Sequence, residues 1–328
     1  MNNSNESVDV LIIGAGLAGI GGACQLRRNC PNHSFMILES RETSGGTWDL
    51  FRYPGFRSDS DMYTYSYGFK PWKDKSTIAD GHKILSYIRE AAAEYDVEQH
   101  IRYQHKVVAA NWSSADKCWL VTAVRGDSGD GGGEQVTISC KFLFNCSGYY
   151  DYEQGYTPEF AGTHDFKGHV VHAQHWPEDL DYQGKRVVVI GSGATAVTLV
   201  PAMSKDTASL VMLQRTPTYI ANVPAEDPWA LKLRKWLPGR WVFRLTRWKK
   251  VFFQIYIYQL SRRKPQQLKK FLLGGVRKAL GPDYDVATHF TPDYDPWDQR
   301  LCAVPDGDMF TAIREGRAEV VTDHIDQF

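Results

Sequence analysis

The sequence has 328 residues, enough for two domains of ordinary size, each able to bury a core. Its 38 Lys/Arg and 38 Asp/Glu cancel, which argues against a general nucleic-acid binder, because phosphate contacts require an excess of cations. A hydrophobic fraction of 43% and a charged fraction of 23% exclude disorder over most of the chain.

Targeting and metal-binding signals are missing from the sequence pattern. The first ten residues, MNNSNESVDV, lack the basic and apolar regions of a secretory signal. No uncharged apolar run approaches the roughly 20 residues of a membrane-spanning helix. The six cysteines form no CxxC pair and are typical of thiols in a reducing compartment. We therefore expect a cytoplasmic protein with no metal site.

The N-terminal region reads as a strand, a glycine turn, a helix and a second strand. The run DVLII at residues 9–13 is short, apolar and rich in β-branched side chains, and a helical pattern then continues to about Asn29. A second apolar run, SFMILE, occupies residues 34–39. This order within about 30 residues predicts a βαβ unit.

The turn between the first strand and the helix has the pattern GxGxxG. Gly14 permits the tight turn, Gly16 lets the backbone approach a diphosphate, and Gly19 allows the helix to pack closely on the strand. Glu39 ends the second strand, where an acid accepts hydrogen bonds from ribose hydroxyls. The alternative is a glycine turn without a ligand. The strands, the helix and Glu39 in register favour a nucleotide without a 2′-phosphate, FAD or NAD.

The middle of the chain predicts a β-meander. Residues 107–124 and 135–144 have strand character, with the glycine-rich segment 127–133 as the hairpin tip. A tyrosine-rich stretch follows at 149–156, and we place the end of the first, FAD-binding domain at residue 150.

A second βαβ unit is predicted from residue 186. Strand patterns at 186–190 and 210–213 enclose a GxGxxA motif formed by Gly191, Gly193 and Ala196. We assign residues 151–225 to an NADPH-binding domain.

The end of the second strand in this unit lacks an acid and reads Gln-Arg-Thr. Arg215 and Thr216 would bind a 2′-phosphate that an acid would repel, so the second nucleotide is predicted to be NADPH. The alternative for Arg215 is a solvated surface charge.

Residues 226–290 are predicted to form a basic helical insert, and residues 291–328 to return to the NADPH domain. Between residues 226 and 280 lie 15 Lys/Arg and only two acids, Glu226 and Asp227. Trp, Phe and Tyr are interleaved with these cations. One interpretation is a helical lid with a solvated basic face, and the other is an interfacial helix on an anionic membrane.

Two nucleotide sites in one chain imply that a hydride passes from NADPH to a flavin. Disulfide reductases place a cysteine pair shortly after the first motif, but residues 40–71 contain no cysteine. The final electron acceptor is therefore predicted to be O₂.

The segment between the two motifs resembles the FxGxxxHxxxW(P/D) fingerprint of type I Baeyer–Villiger monooxygenases. Residues 45–48 (GGTW) and 53–59 (YPGFRSD) look like that family's flavin-side segments, and residues 49–53, 59–63 and 296–302 look like its ethionamide-activating subgroup. The resemblance covers nearly the whole chain. The fingerprint positions are Phe166, Gly168, His172, Trp176 and Pro177.

The resemblance implies an α/β fold with two Rossmann-like dinucleotide-binding domains, for FAD and NADPH, and a helical insert. It implies Thr47 and Trp48 as flavin-side residues, Arg300 as the active-site arginine and Asp59 as its acidic partner near the cofactor. Arg300 has the alternative of a surface salt bridge. For His172 the alternative is a structural histidine, and a role in coupling the domains is equally open.

The activity implied is monooxygenation with FAD, NADPH and O₂ through a flavin C4a-peroxide. It would convert small apolar ketones to esters or lactones and oxidise sulfur compounds. The alternatives are a flavin-containing monooxygenase restricted to soft nitrogen and sulfur nucleophiles, and an inactive truncated chain that binds nucleotides. No nucleic-acid partner is expected.

Two departures from the family are visible. Gln299 stands before Arg300 where many relatives have a lysine that helps to hold the 2′-phosphate, so the preference for NADPH over NADH should be weaker. Relatives also continue well past residue 328 and return to the FAD domain. We therefore expect a fragment, or a chain completed by something else, with poor flavin retention and a tendency to aggregate.

Overall fold

The computed structural model describes residues 6–126 and 133–328, and its helices and strands alternate as in α/β proteins. The strands are β1 (Glu6–Ile13), β2 (Phe35–Leu38), β3 (Ile101–Arg102), β4 (His105–Ser113), β5 (Cys118–Arg125), β6 (Glu134–Asn145), β7 (Arg186–Ile190), β8 (Ser209–Gln214), β9 (Tyr219–Val223), β10 (Leu301–Pro305) and β11 (Glu319–Thr322). The α-helices are α1 (Leu17–Asn29), α2 (Thr47–Leu50), α3 (Met62–Tyr65), α4 (Gly81–Glu94), α5 (Ala194–Met203), α6 (Pro228–Leu233), α7 (Gly239–Arg263), α8 (Pro265–Leu280), α9 (Val286–Phe290) and α10 (Asp308–Arg314).

The chain divides into two compact units. The first comprises the residues up to Phe51 together with Gly81–Gly155, and the second comprises Arg52–Asp80 and Tyr156–Phe328. The sequence placed all of residues 1–150 in one domain, whereas residues 52–80 belong to the second unit. They are held there by long-range contacts, such as the 2.5 Å ion pair between Arg57 and Asp308, which no local pattern reveals.

The first unit is built on a six-stranded mixed sheet in the order β3-β2-β1-β6-β5-β4. Strands β3, β2, β1 and β6 are parallel, whereas β6, β5 and β4 form the antiparallel meander expected from the sequence. In β1 the consecutive residues Val10, Leu11 and Ile12 are all buried, as in parallel strands covered on both faces. The expected hairpin tip at 127–133 lies, except for Gly133, outside the described residues.

The second unit contains a three-stranded parallel sheet in the order β11-β8-β7 and a separate parallel pair, β10-β9. Helix α5 connects β7 to β8, so the second predicted βαβ unit is confirmed. The basic insert is helical and forms α6 to α9. Across the described parts of the chain, no helix combines the length and apolar character that crossing a bilayer requires.

Candidate nucleotide sites and the residues around them

The first glycine turn lies between β1 and α1, where side chains have no room. Gly14 has a φ of +96°, and a Cβ there would lie 2.6 Å from the carbonyl oxygen of Cys146. A Cβ on Gly19 would lie 1.9 Å from the carbonyl oxygen of Gly14. Gly16 is the N-cap residue of α1. No side chain caps the start of α1, so its free backbone N–H groups and the positive end of the helix dipole are open to a diphosphate.

Glu39 follows β2 and is 5% exposed. One of its carboxylate oxygens accepts a hydrogen bond from the backbone N–H of Ala15 at 2.8 Å, and the other accepts from the backbone N–H of Arg41 at 3.0 Å. The carboxylate therefore fastens the glycine turn to the end of β2. Because a carboxylate offers about four acceptor positions, it can still accept from ribose hydroxyls.

The GGTW segment approaches the glycine turn within the same unit. Gly46 has a φ of +56°, and a Cβ there would lie 3.1 Å from the Cα of Gly16. Thr47 and Trp48 begin α2 directly after this approach and are partly buried. The hydroxyls of Thr47 and Tyr152 are 3.2 Å apart. The structure therefore brings Thr47 and Trp48 next to the turn that contains Gly14, Gly16 and Gly19.

A buried ion cluster centred on Asp49 holds this segment in place. Asp49 is 5% exposed and accepts from Arg41 at 2.9 Å and from Arg89 at 2.7 Å. The two guanidiniums also donate to the carbonyl oxygens of Gly46 and Ser44. No motif in the sequence marks this cluster as part of the site. The acid that follows the GGTW segment was the available signal, but its partner Arg89 is 40 positions away in the sequence.

The second glycine turn, between β7 and α5, repeats the arrangement. Gly191 has a φ of +123°, Gly193 is the N-cap residue of α5, and Ala196 is buried in the first turn of the helix. A diphosphate can therefore meet the start of α5 as it can meet the start of α1.

Arg215 and Thr216 directly follow β8 and are exposed. The hydroxyl of Ser192, in the second glycine turn, donates to the carbonyl oxygen of Thr216 at 3.3 Å and lies 2.9 Å from the hydroxyl of Thr218. The turn and the end of β8 are thus joined, which brings the backbone at Arg215 and Thr216 next to the glycine turn. Ser192 occupies a variable position of the glycine motif, so the motif does not mark it as functional.

Residues 53–55 pack against α5 in the second unit. A Cβ on Gly55 would lie 2.7 Å from the Cβ of Ala202. The phenol of Tyr53 shares a hydrogen bond with Thr195, in the second glycine turn. Burial raises the pKa of Tyr53 to about 12, and the negative charge of Asp59 adds to the effect while the hydrogen bond opposes it. The neutral phenol of Tyr53 therefore links residues 53–55 to the first turn of α5.

Arg300 and Asp59 are both exposed side chains of the second unit. The Nη1 atom of Arg300 lies 3.2 Å from the position of a Cβ on Gly193, so the guanidinium stands over the second glycine turn. The pKa of the Cys302 thiol is raised to about 11, mainly by burial; the charge of Asp59 contributes to the rise and the charge of Arg300 opposes it. Both charges therefore act on one buried thiol, although no ion pair joins Asp59 to Arg300 in the described part of the chain.

The fingerprint segment lies before β7 and is mostly exposed. His172 caps a short 3₁₀ turn, and its Nδ1 accepts from the backbone N–H of Gln174 at 3.2 Å. Phe166 covers Gly168, where a Cβ would lie 2.6 Å from the phenylalanine ring. Trp176 packs edge-on against Tyr182, and Pro177 follows it on the surface. The observed hydrogen bond of His172 is a structural one.

A comparison with protein-family models shows what the chain is similar to. The model described as flavin-binding monooxygenase-like matches residues 56–237, which is more than half of the chain. A model described as an NAD(P)-binding Rossmann-like domain matches residues 12–74. The two matches together include both glycine turns.

Known proteins point the same way. The FAD-containing monooxygenase EthA of Mycobacterium tuberculosis is 51% identical over 324 residues, which cover 98% of this chain and 65% of the relative. A steroid monooxygenase solved with NADP has a TM-score of 0.76 at 25% identity, over 96% of this chain and 65% of its own. A cyclohexanone monooxygenase solved with ε-caprolactone has a TM-score of 0.74 at 20% identity, over 97% and 67%. The chain thus spans about 65% of the length of its curated relatives.

Proposed function

The chain belongs to the flavin-binding monooxygenase-like family, and from that premise we propose that it takes part in FAD- and NADPH-dependent monooxygenation by O₂. The observation that supports this best is the pair of glycine turns, each at the start of a helix in its own βαβ unit. The first turn is fastened to the acid Glu39, and the second is fastened to the segment that contains Arg215 and Thr216.

The residues present fit the two cofactors. In the first unit a Cβ on Gly14 or Gly19 would meet the backbone, so the turn is kept free of side chains at the place where a diphosphate binds. Glu39 would accept from the ribose of FAD, and Thr47 and Trp48 would face its flavin side. In the second unit Gly191 and Gly193 would approach the NADPH diphosphate, and Arg215 and Thr216 would bind the 2′-phosphate.

When bound, NADPH supplies a hydride and the flavin passes its electrons to O₂. Arg300 would donate N–H groups to the carbonyl oxygen of a ketone and stabilise the negative charge that develops on it, because a guanidinium remains charged and offers several donors. Asp59 would orient that guanidinium. Asp59 and Arg300 both act on the pKa of the Cys302 thiol, in opposite directions, so both charges lie in the surroundings of that residue.

The fingerprint residues would act by fixing the backbone conformation of the segment before β7. His172 holds the 3₁₀ turn at Gln174, and Phe166 packs on Gly168, so the segment before β7 has a defined path. We assign these residues, with Trp176 and Pro177, to positioning of the segment that leads into the NADPH-binding turn.

We propose small apolar ketones, converted to esters or lactones, and sulfur compounds as substrates. The ε-caprolactone found in the cyclohexanone monooxygenase is the kind of product that insertion of oxygen beside a carbonyl gives. The competing proposal is oxidation of soft nitrogen and sulfur nucleophiles only. An ester or lactone formed from a simple ketone would separate the two, because N- and S-oxidation yields neither.

We also propose a cytoplasmic location, with the helical insert in contact with the inner face of the membrane. The cations and aromatic side chains of residues 226–280 support this placement.

The first experiment is an absorbance spectrum of the purified 328-residue chain, incubated with FAD, before and after anaerobic NADPH. We expect bound flavin whose absorbance is bleached by NADPH. Replacing Gln299 with lysine should increase the preference for NADPH over NADH in this reduction. Failure to bind flavin with added FAD would overturn the proposal for this chain and leave an inactive nucleotide-binding segment.

Arg300→Ala tests the proposed catalytic arginine. Ester formation should fall by about 10²-fold or more, as when a donor to a developing oxyanion is lost, whereas flavin reduction by NADPH should be largely kept. Arg277→Ala, which removes an exposed arginine of α8, is the matched control. Product analysis and stopped-flow reduction give the two rates. Ester formation that survives in Arg300→Ala would make the assignment wrong.

A further inference from the structure

Helix α7 turns an apolar face away from the body of the second unit. Trp241, Leu245, Trp248, Phe252, Ile255 and Tyr256 are between 41% and 63% exposed. Because they recur every three or four residues, they lie along one side of the helix. We call these six residues the aromatic stripe. From Trp241 to Tyr256 it extends over about 22 Å at the usual helical rise of 1.5 Å per residue.

The opposite face of α7 explains why the stripe points outward. Val242, Phe243 and Thr246 are buried. Arg247 donates to the carbonyl oxygens of Tyr63 and Ser66 at 2.7 and 2.9 Å. These contacts, in the first half of α7, set the rotation of the helix about its axis and turn the aromatic stripe outward.

Cations flank the aromatic stripe, and helices α6, α7 and α8 themselves contain no acid. Arg240, Arg244 and Arg263 are exposed residues of α7, and Arg262 is exposed but paired with Asp298. The guanidinium of Arg244 lies 5.7 Å from the ring centroid of Trp241. The sequence contains no acid from residue 228 to residue 280. Asp227, just before α6, is buried and paired with Lys249 and Lys250.

We propose that the aromatic stripe docks α7 in the plane of an anionic lipid surface. Aromatic and aliphatic side chains on one face with cations beside them are the composition of interfacial helices, in which apolar side chains enter the headgroup boundary and cations meet anionic lipid. This inference deepens the membrane contact included in the proposed function, because it names the element and the lipid chemistry.

Charge favours lipid over a second copy of the chain. The spacing of the stripe would also suit the seam between two helices. Two copies packed through it would bring Arg240 and Arg244 of both copies close together, and like charges across an interface oppose association. An anionic bilayer neutralises the same cations.

The test is co-sedimentation of the purified chain with vesicles of phosphatidylcholine alone or mixed with phosphatidylglycerol. Binding should require phosphatidylglycerol and weaken in 0.5 M NaCl. The double variant Trp248→Ser/Phe252→Ser should bind at least about tenfold more weakly, because binding scales with buried apolar area. In Arg240→Glu/Arg244→Glu each lost cation should weaken binding by about fivefold.

Two control variants keep the result specific. Phe142→Ser removes an aromatic ring that is 60% exposed in the first unit, and Lys205→Glu reverses an exposed charge that follows α5. Both should bind vesicles as the parent chain does. Circular dichroism and thermal unfolding confirm that each variant is folded.

Several outcomes would overturn the inference. They are no binding of the folded chain to phosphatidylglycerol vesicles, equal binding by the stripe variants, or a dimer in sedimentation that the stripe variants dissociate. None of these measurements requires flavin or turnover. A chain that binds vesicles but has no oxygenation activity would refute the proposed oxygenation and leave the docking surface supported. A chain that is active but does not bind vesicles would refute only the docking surface.

Discussion

At the scale of single residues, the thiol of Cys302 reports on the proposed Asp59 and Arg300 pair. Its raised pKa of about 11 keeps the thiol neutral at physiological pH, and Asp59 contributes to the rise. We expect Cys302 to resist iodoacetamide at pH 8, because the residue is only 3% exposed and the reactive thiolate is scarce at that pH. Asp59→Asn should lower the pH at which labelling begins. Mass spectrometry of labelled peptides measures this.

The neighbouring substitution Ser60→Ala serves as the control for Asp59→Asn, since it leaves the charge in place. If both variants label at the same pH as the parent chain, Asp59 does not act on Cys302 and its place beside Arg300 loses its support.

The buried carboxylate of Asp49 makes a second prediction at this scale. Asp49→Asn leaves the guanidiniums of Arg41 and Arg89 without their shared partner, and we expect a loss of about 2 to 4 kcal/mol of unfolding free energy. Asp96→Asn, which breaks an exposed pair with Arg27, should cost less than about 1 kcal/mol. Denaturant titration compares them. Equal losses would mean that the cluster around the GGTW segment is not a buried support.

At the scale of elements, the packing of residues 52–80 on α5 depends on Gly55. Gly55→Ala would strain a φ of +72° and push a methyl group to 2.7 Å from Ala202. We expect about 2 kcal/mol of destabilisation and faster proteolysis within residues 52–80. Gly68→Ala, at a position with open space around it, should have little effect. Unchanged stability in Gly55→Ala would mean that the segment does not need this close approach.

The elements that the sequence predicted well are those whose signals are local. A short apolar run, a glycine turn and a helical pattern specify β1 with α1 and β7 with α5, because each βαβ unit closes within about 30 residues. The place of residues 52–80 could not be read in this way. It depends on Arg57 meeting Asp308, 251 positions away, and on Tyr53 meeting Thr195. The support of the GGTW segment by Arg89 was hidden for the same reason.

At the scale of the whole molecule, neutrality conceals a strong separation of charge. Residues 226–280 contain 15 of the 38 Lys/Arg but two of the 38 Asp/Glu, so the rest of the chain is acidic to the same extent that this segment is basic. The aromatic residues of α7 were visible in the sequence, but which of them face outward was not. That was decided by the contacts of Arg247 with residues 63–66.

This separation predicts self-association that salt weakens. At low ionic strength the basic segment of one chain should attract the acidic remainder of another, and at 0.5 M NaCl the Debye length shortens to a few ångströms and the attraction is screened. Light scattering coupled to size exclusion should therefore show larger species at 20 mM NaCl than at 0.5 M. The effect should be strongest near the isoelectric point of about 7.1 and should diminish in Arg240→Glu/Arg244→Glu but not in Lys205→Glu. Species that grow with salt would instead indicate association through apolar surface, such as the aromatic stripe or the exposed Val188 and Ile190 of β7.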